Sequence, residues 1–87
     1  GEDGKIVDDD DNIVLSFAEP GKKYEITRLY SSDKEFFEFC IHNDIKVGVK
    51  IKVENQFTKN KMTEVLFNDI KLLLNADISN VIYVKQS

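Results

Sequence analysis

Few residues in this sequence are suited to catalysis or to metal binding. The 87 residues include one cysteine, one histidine, one proline and four glycines, and acidic side chains outnumber basic ones 16 to 12. Cys40 alone permits no internal disulfide and no cysteine-based metal cage, which fits a reducing compartment. No run of apolar residues approaches the ~20 needed for a membrane helix, and no charged-then-apolar leader opens the chain. A cytoplasmic protein without membrane insertion is expected. The formal charge of −4 argues against general affinity for nucleic acid or anionic lipid, because phosphate binding rests on lysine and arginine. There is no glycine-rich phosphate loop. With 41% hydrophobic and 32% charged residues and no low-complexity tract, the chain reads as one ordinary globular domain with a small core. It opens on Gly1 instead of Met, as a piece cut from a longer protein would.

The stretch "IKVGVKIKV", Ile45 to Val53, shows what is present. Ile45, Val47, Val49, Ile51 and Val53 alternate with Lys46, Gly48, Lys50 and Lys52, the two-residue period of a half-buried strand. Residues 1–12 hold six acidic groups and two glycines and read as an acidic flexible lead or interdomain linker; residues 13–87 read as the folded domain. A short apolar stretch from Ile13 is followed by a turn at Pro20-Gly21 and a strand with Tyr24, Ile26 and Arg28 on alternate positions. In "SSDKEFFEFCIHND" the period changes: Phe36, Phe37, Cys40 and Ile41 form one apolar stripe on a short helix at about 32–43. Ser32 and Glu35 have capping-box spacing, and Phe37 is expected to fill the core. "NQFTKN" reads as a polar loop, "KMTEVLF" as a strand, Asn68-Asp69 as a hairpin turn into "IKLLLN", "ADISN" as a turn or single helical turn, and "VIYV" as a closing strand. Five or six short strands with one helix imply a mainly β protein closed into a small barrel.

Candidate chemistry is sparse. Cys40 and His42, two apart on a helix, point in different directions, so they read as a core residue and a helix-end residue. Asp33, Glu35 and Glu38 lie on the polar side of the same helix, where solvated charge is expected. Asp8, Asp10, Asn12, Val14, Ser16 and Glu19 match the ligand spacing of a calcium-binding EF-hand loop. Ile13, however, occupies the position that needs glycine, and no helix pattern flanks the segment. Lys46, Lys50 and Lys52, with Glu54 and Glu64 nearby, read as a mixed solvated face, while Phe57 and Met62 bracket the polar loop and are candidates for a protein contact or for folding back onto the barrel. No catalytic, cofactor-binding or metal-ligating residue is assigned.

The order of "LSFAEPGKKYEITRL", a helix, "NDIKVGVKIKV" and "EVLFNDIKLLLNADISNVIYV" resembles the FeoA domain over about residues 14 to 85. That resemblance implies an SH3-like β-barrel and no enzymatic activity. Such domains occur as stand-alone proteins of ferrous iron transport, as fusions to the transporter FeoB, and at the C-terminus of iron- or manganese-dependent repressors resembling the diphtheria toxin repressor. The lead "EDGKIVDDDDN" resembles the linker after the dimerisation domain of those repressors, and "NVIYVKQS" resembles their end. The resemblance therefore implies a non-catalytic domain of a metal-dependent repressor, whose partner is the rest of its own chain or dimer and which meets DNA only through an upstream domain. The alternative is a stand-alone accessory that binds FeoB. The parent protein would bind Fe²⁺ or Mn²⁺. In some of these repressors the domain donates a Glu and a Gln three apart to a metal; the matching positions here are Asp33 and Phe36, and because Phe36 cannot ligate, no cofactor is expected in this domain.

Overall fold

The computed structural model describes residues 12–87, so all of the acidic lead but Asn12, including the Asp8 and Asp10 of the calcium-like pattern, lies outside the described residues. The elements are β1 (Ile13–Val14), a 3-10 turn (Leu15–Phe17), β2 (Lys23–Leu29), α1 (Lys34–His42), β3 (Lys50–Phe57), β4 (Met62–Phe67), β5 (Ile70–Leu74), α2 (Ala76–Ser79) and β6 (Ile82–Gln86). All six strands form one antiparallel sheet in the order β1-β6-β2-β3-β4-β5. The mainly β class with one short helix stands. The sheet itself stays open, because its outermost strands, β1 and β5, do not pair with each other. The 3-10 turn touches both β4 and β6 and so closes the space that a full barrel would seal with hydrogen bonds.

Alternation builds the core. Tyr24 and Ile26 of β2, Ile51 and Val53 of β3, Val65 and Phe67 of β4, Leu74 of β5 and Ile82 and Val84 of β6 point inward and are buried. Leu15 and Ala18 fill the open side, and Phe36, Cys40 and Ile45 cover the core from α1 and its exit. Burial pushes the Cys40 thiol up. The turns follow local chemistry. Gly21 takes φ 87°, its amide donates to the Val53 carbonyl at 2.7 Å, and the buried Tyr24 hydroxyl accepts from the Glu19 amide at 2.9 Å. Asn68 and Asp69, at φ 53° and 62°, make the tight β4–β5 hairpin expected of that pair.

Four expectations need correction. The α1 cap is Asp33, whose carboxylate accepts from the Glu35 amide at 3.0 Å, while Ser31 Oγ accepts from the Asp33 amide; Ser32 makes no capping bond. A carboxylate at the helix N-terminus also meets the positive end of the dipole, which favours it over a hydroxyl. The apolar stripe is narrower than its spacing implied: Phe36 and Cys40 are buried, but Ile41 is 78% exposed and Phe37 37% exposed, held edge-on against Phe36 with ring centroids 5.2 Å apart. The alternation from Ile45 does not make one strand. Asp44 at φ 59° and Gly48 at φ 96° break the extended backbone, Val47 is exposed, and β3 starts only at Lys50.

The first half of "NQFTKN", Asn55 to Phe57, is strand, not loop, and the connection is Thr58 to Lys61. There a bulge between Val53 and Asn55 re-aims Gln56. Gln56 Nε2 donates to the carbonyls of Leu15 (3.0 Å) and Ala18 (2.8 Å), and its Oε1 accepts from the buried Thr63 hydroxyl at 2.7 Å. This polar network ties the 3-10 turn to β3 and β4, and it is why a polar residue was recruited into the strand.

Two measurements check the helix and the core. In urea melts, Asp33→Ala is expected to cost about 0.5–2 kcal/mol and Ser32→Ala almost nothing. Phe36→Ala is expected to cost about 3–5 kcal/mol, against about 1 for Phe37→Ala; equal losses for the two phenylalanines would contradict the packing. The raised Cys40 pKa also has a sign. The folded state disfavours the thiolate, so the stability this burial supplies is complete below the unfolded thiol's pKa of about 8.5 and is lost as pH rises through the higher folded value. Native protein should therefore lose stability relative to Cys40→Ala above about pH 8.5, and parallel pH–stability curves would contradict it.

Candidate functional site

Among the described residues, the groups that could do chemistry do not converge. Cys40 is buried and His42 is exposed in the last turn of α1. The Asp33 carboxylate is committed to the helix cap, Phe36 is in the core, and Glu35 and Glu38 face solvent. No three His, Cys, Asp or Glu residues come together as a metal cluster among the described residues. Of the described members of the calcium-like pattern, Val14 lies in β1, Ser16 Oγ donates to Asn80 Oδ1 at 2.6 Å, and Glu19 pairs with Lys22 at 2.9 Å, a hydrogen-bonded contact that raises the Lys22 pKa. These residues serve β1 and the neighbouring turns and do not converge on a common point.

What the fold offers instead is surface relief. One groove of about 350 Å³ lies between the 3-10 turn, the β3–β4 connection and α2, lined by Phe17, Gln56, Met62, Thr63, Ala76 and Asn80 among others. Phe17 is 77% exposed beside it. Phe57 and Met62 are cross-strand partners at the end of that hairpin, with Phe57 exposed and Met62 partly buried in the groove wall. A second patch of exposed apolar residues comes from α1 and the loop after it, where Ile41 and Val47 stand in solvent.

A second groove of about 340 Å³ is lined by three lysines, Lys23, Lys50 and Lys52, by the acid Asp69, and by Ile51, Leu66, Phe67, Asn68 and Ser87. The register explains it. Lys23 pairs with Lys52, Lys52 with Leu66, and Leu66 with Lys71, so four strands put one side chain each into a single cross-strand row. Lys52 reaches Glu54 at 3.7 Å, but Lys23, Lys50 and Lys71 form no ion pair among the described residues. Glu64 accepts from Asn55 Nδ2 at 2.8 Å further along the face. Lys46, expected on this face, sits instead in the loop before β3. Lys23 and Lys71 were not singled out in the sequence, since only the pairing of strands distant in sequence brings them into this row. The alternation in "KKYEITRL" and "IKLLLN" was the signal available.

Comparison with known proteins now bears on this geometry. No curated protein sequence matches the chain. Among solved structures, IdeR of T. acidophilum matches with a TM-score of 0.79 at 20% identity, over 87% of this chain and 34% of its own. A manganese-dependent transcriptional repressor matches with a TM-score of 0.82 at 14% identity, over 87% of this chain and 42% of its own. An iron uptake regulatory protein, FeoA, matches with a TM-score of 0.76 at 12% identity, over 87% of this chain and 99% of its own. At these identities the likeness is one of fold, and the chain spans well under half the length of either repressor. The model of the FeoA domain matches residues 13–86, β1 through β6, and the chain belongs to the FeoA domain family.

Proposed function

We propose that this chain is the non-catalytic C-terminal domain of an iron- or manganese-dependent transcriptional repressor in the cytoplasm, acting through contacts with the rest of its own chain or its dimer partner. The observation that carries this reading is the agreement of the whole described sheet with two repressors in which the matching region is only about a third to two-fifths of the chain. A domain whose described residues bring no reactive groups together contributes, on this reading, by where it packs. If its exposed apolar side chains, Ile41 and Val47 above all, bury against the parent protein more completely in one metal-loading state, they bias DNA-binding competence by that difference. The metal would be held by the remainder of the parent, because Phe36 occupies one of the positions that donate ligands in some of its relatives. Bases would be read by an upstream element, since such readout needs a helix or ribbon placed in a groove.

A second reading, an accessory of ferrous iron transport that binds FeoB, is favoured by one observation: the match to the FeoA protein takes in 99% of that chain. The two separate in the parent reading frame, which under the first reading carries helix-rich DNA-binding sequence ahead of Gly1. In that parent, Ile41→Glu should shift the metal concentration for half-maximal operator binding by about fivefold or more, while the domain's melting stays within about 0.5 kcal/mol. An unchanged operator-binding curve would remove α1 as the contact, and a reading frame without a DNA-binding segment would remove the repressor role.

A further inference from the structure

β5 is an outermost strand of the sheet, and β4 is its one partner among the described strands. The hairpin fixes which backbone groups of β5 are left over. Across a two-residue turn such as Asn68-Asp69, the flanking residues Phe67 and Ile70 exchange both backbone hydrogen bonds, and bonded and unbonded pairs alternate from there along the strands. Ile70, Leu72 and Leu74 therefore bond Phe67, Val65 and Thr63, whereas the amides and carbonyls of Lys71 and Leu73 point away from β4. No described residue bonds those groups. Such an edge is a template for another strand, and the usual defences against pairing reduce here to Lys71, since no proline and no bulge interrupts β5. Its side chains are uncovered as well: Ile70 and Leu73 are each more than half exposed, and Leu72 is partly buried.

We infer that β5 pairs antiparallel with β5 of a second copy of this chain, across a two-fold axis at Leu72. Lys71 then stands opposite the partner's Leu73, each such pair exchanges two backbone bonds, and every free amide and carbonyl of both edges is used. The neighbouring registers fail. Centring on Lys71 sets two ammonium groups face to face and brings Leu73 opposite Asp69, which is held in the turn at φ 62°. Centring on Leu73 brings Lys71 opposite Asn75, the α2 cap, whose carbonyl already accepts from the Ile78 and Ser79 amides. In the Leu72-centred register Leu72 meets the partner's Leu72, and Ile70 meets the partner's Leu74. On the other side the cross-strand row reads Leu66, Lys71, the partner's Leu73 and the partner's Glu64. Lys71 thus comes two strand spacings, about 10 Å, from an opposite charge that its long stem can approach over the leucine. A strand this short, bounded by a turn and by α2, offers an unrelated peptide the same two outward residues but none of these matches. The contact falls well under the ~1,000 Å² of a stable interface, so the expected Kd is about 0.1–1 mM. Two copies held in one oligomeric parent would pair more completely. The pairing is independent of which parent carries the domain.

Equilibrium sedimentation and amide spectra of the 87-residue chain test this, at concentrations from about 20 μM to about 2 mM that bracket the expected Kd. The mean mass should rise toward that of a dimer, and the amides of Lys71, Leu72 and Leu73 should shift with concentration while those of Phe17, Ile41 and Val47 stay fixed. Leu73→Pro removes an outward amide and leaves the β4–β5 ladder whole; this variant should melt near the native protein and remain monomeric. Leu73→Lys, at an exposed position that tolerates it, sets like charges opposite each other and should weaken pairing about tenfold. Adding Lys71→Glu should recover the loss, because residue 71 faces residue 73 of the partner. A chain that stays monomeric to the highest concentration would overturn the inference. So would association that survives both Leu73 substitutions, or concentration-dependent shifts centred on β1 or on Ile41 and Val47.

Discussion

The position of β3 between β2 and β4 is the constraint on which the rest of the molecule depends. Its inward residues, Ile51 and Val53, face Tyr24 on one side and Val65 on the other, and Lys50 and Lys52 are thereby held toward water. A slip of one residue would exchange the two sets and bury two ammonium groups in a core with no acid to pair them. The same register creates the outer row, because the pairings that fix the core also align Lys23, Lys52, Leu66 and Lys71. The Gln56 network anchors the far end of β3 beyond the bulge, where its amide donates to the carbonyls of Leu15 in the 3-10 turn and of Ala18 just after it.

From this follows how much of the molecule was legible in its sequence. Turns that need unusual backbone were legible, since Pro20-Gly21 and Asn68-Asp69 announce themselves by residue type. The helix was legible in place but not in detail: Ser32 and Asp33 are both good caps, and only the chain's path into α1 decides between them. Ile41 and Val47 fit the period of buried residues yet stand in solvent, because periodicity records what an element could bury and not what the rest of the fold supplies to cover it. Gln56 looked like loop for the complementary reason: its partners, Leu15 and Ala18, are 41 and 38 residues away.

The resemblance to the FeoA domain was legible as an order of motifs, and the match over residues 13–86 agrees with it. The candidate surfaces were mostly not legible. The lysine row is a property of pairing across β2, β3, β4 and β5, and the apolar groove beside Phe17 combines the 3-10 turn with α2 and the β3–β4 hairpin. A domain that works by contact carries its function in such composite surfaces, whereas an enzyme's reactive groups can often be seen in sequence as a motif.

The central claim is that this domain contributes through its faces and donates no ligand to the parent's metal. It is tested most directly by titrating the protein with Mn²⁺ and with Fe²⁺ under anaerobic conditions while following backbone amide shifts. The account predicts no localised movement from Asp33 to Glu38 at millimolar metal. A saturable set of shifts centred on the start of α1 would contradict it, and would make the domain a direct part of the metal sensor despite Phe36.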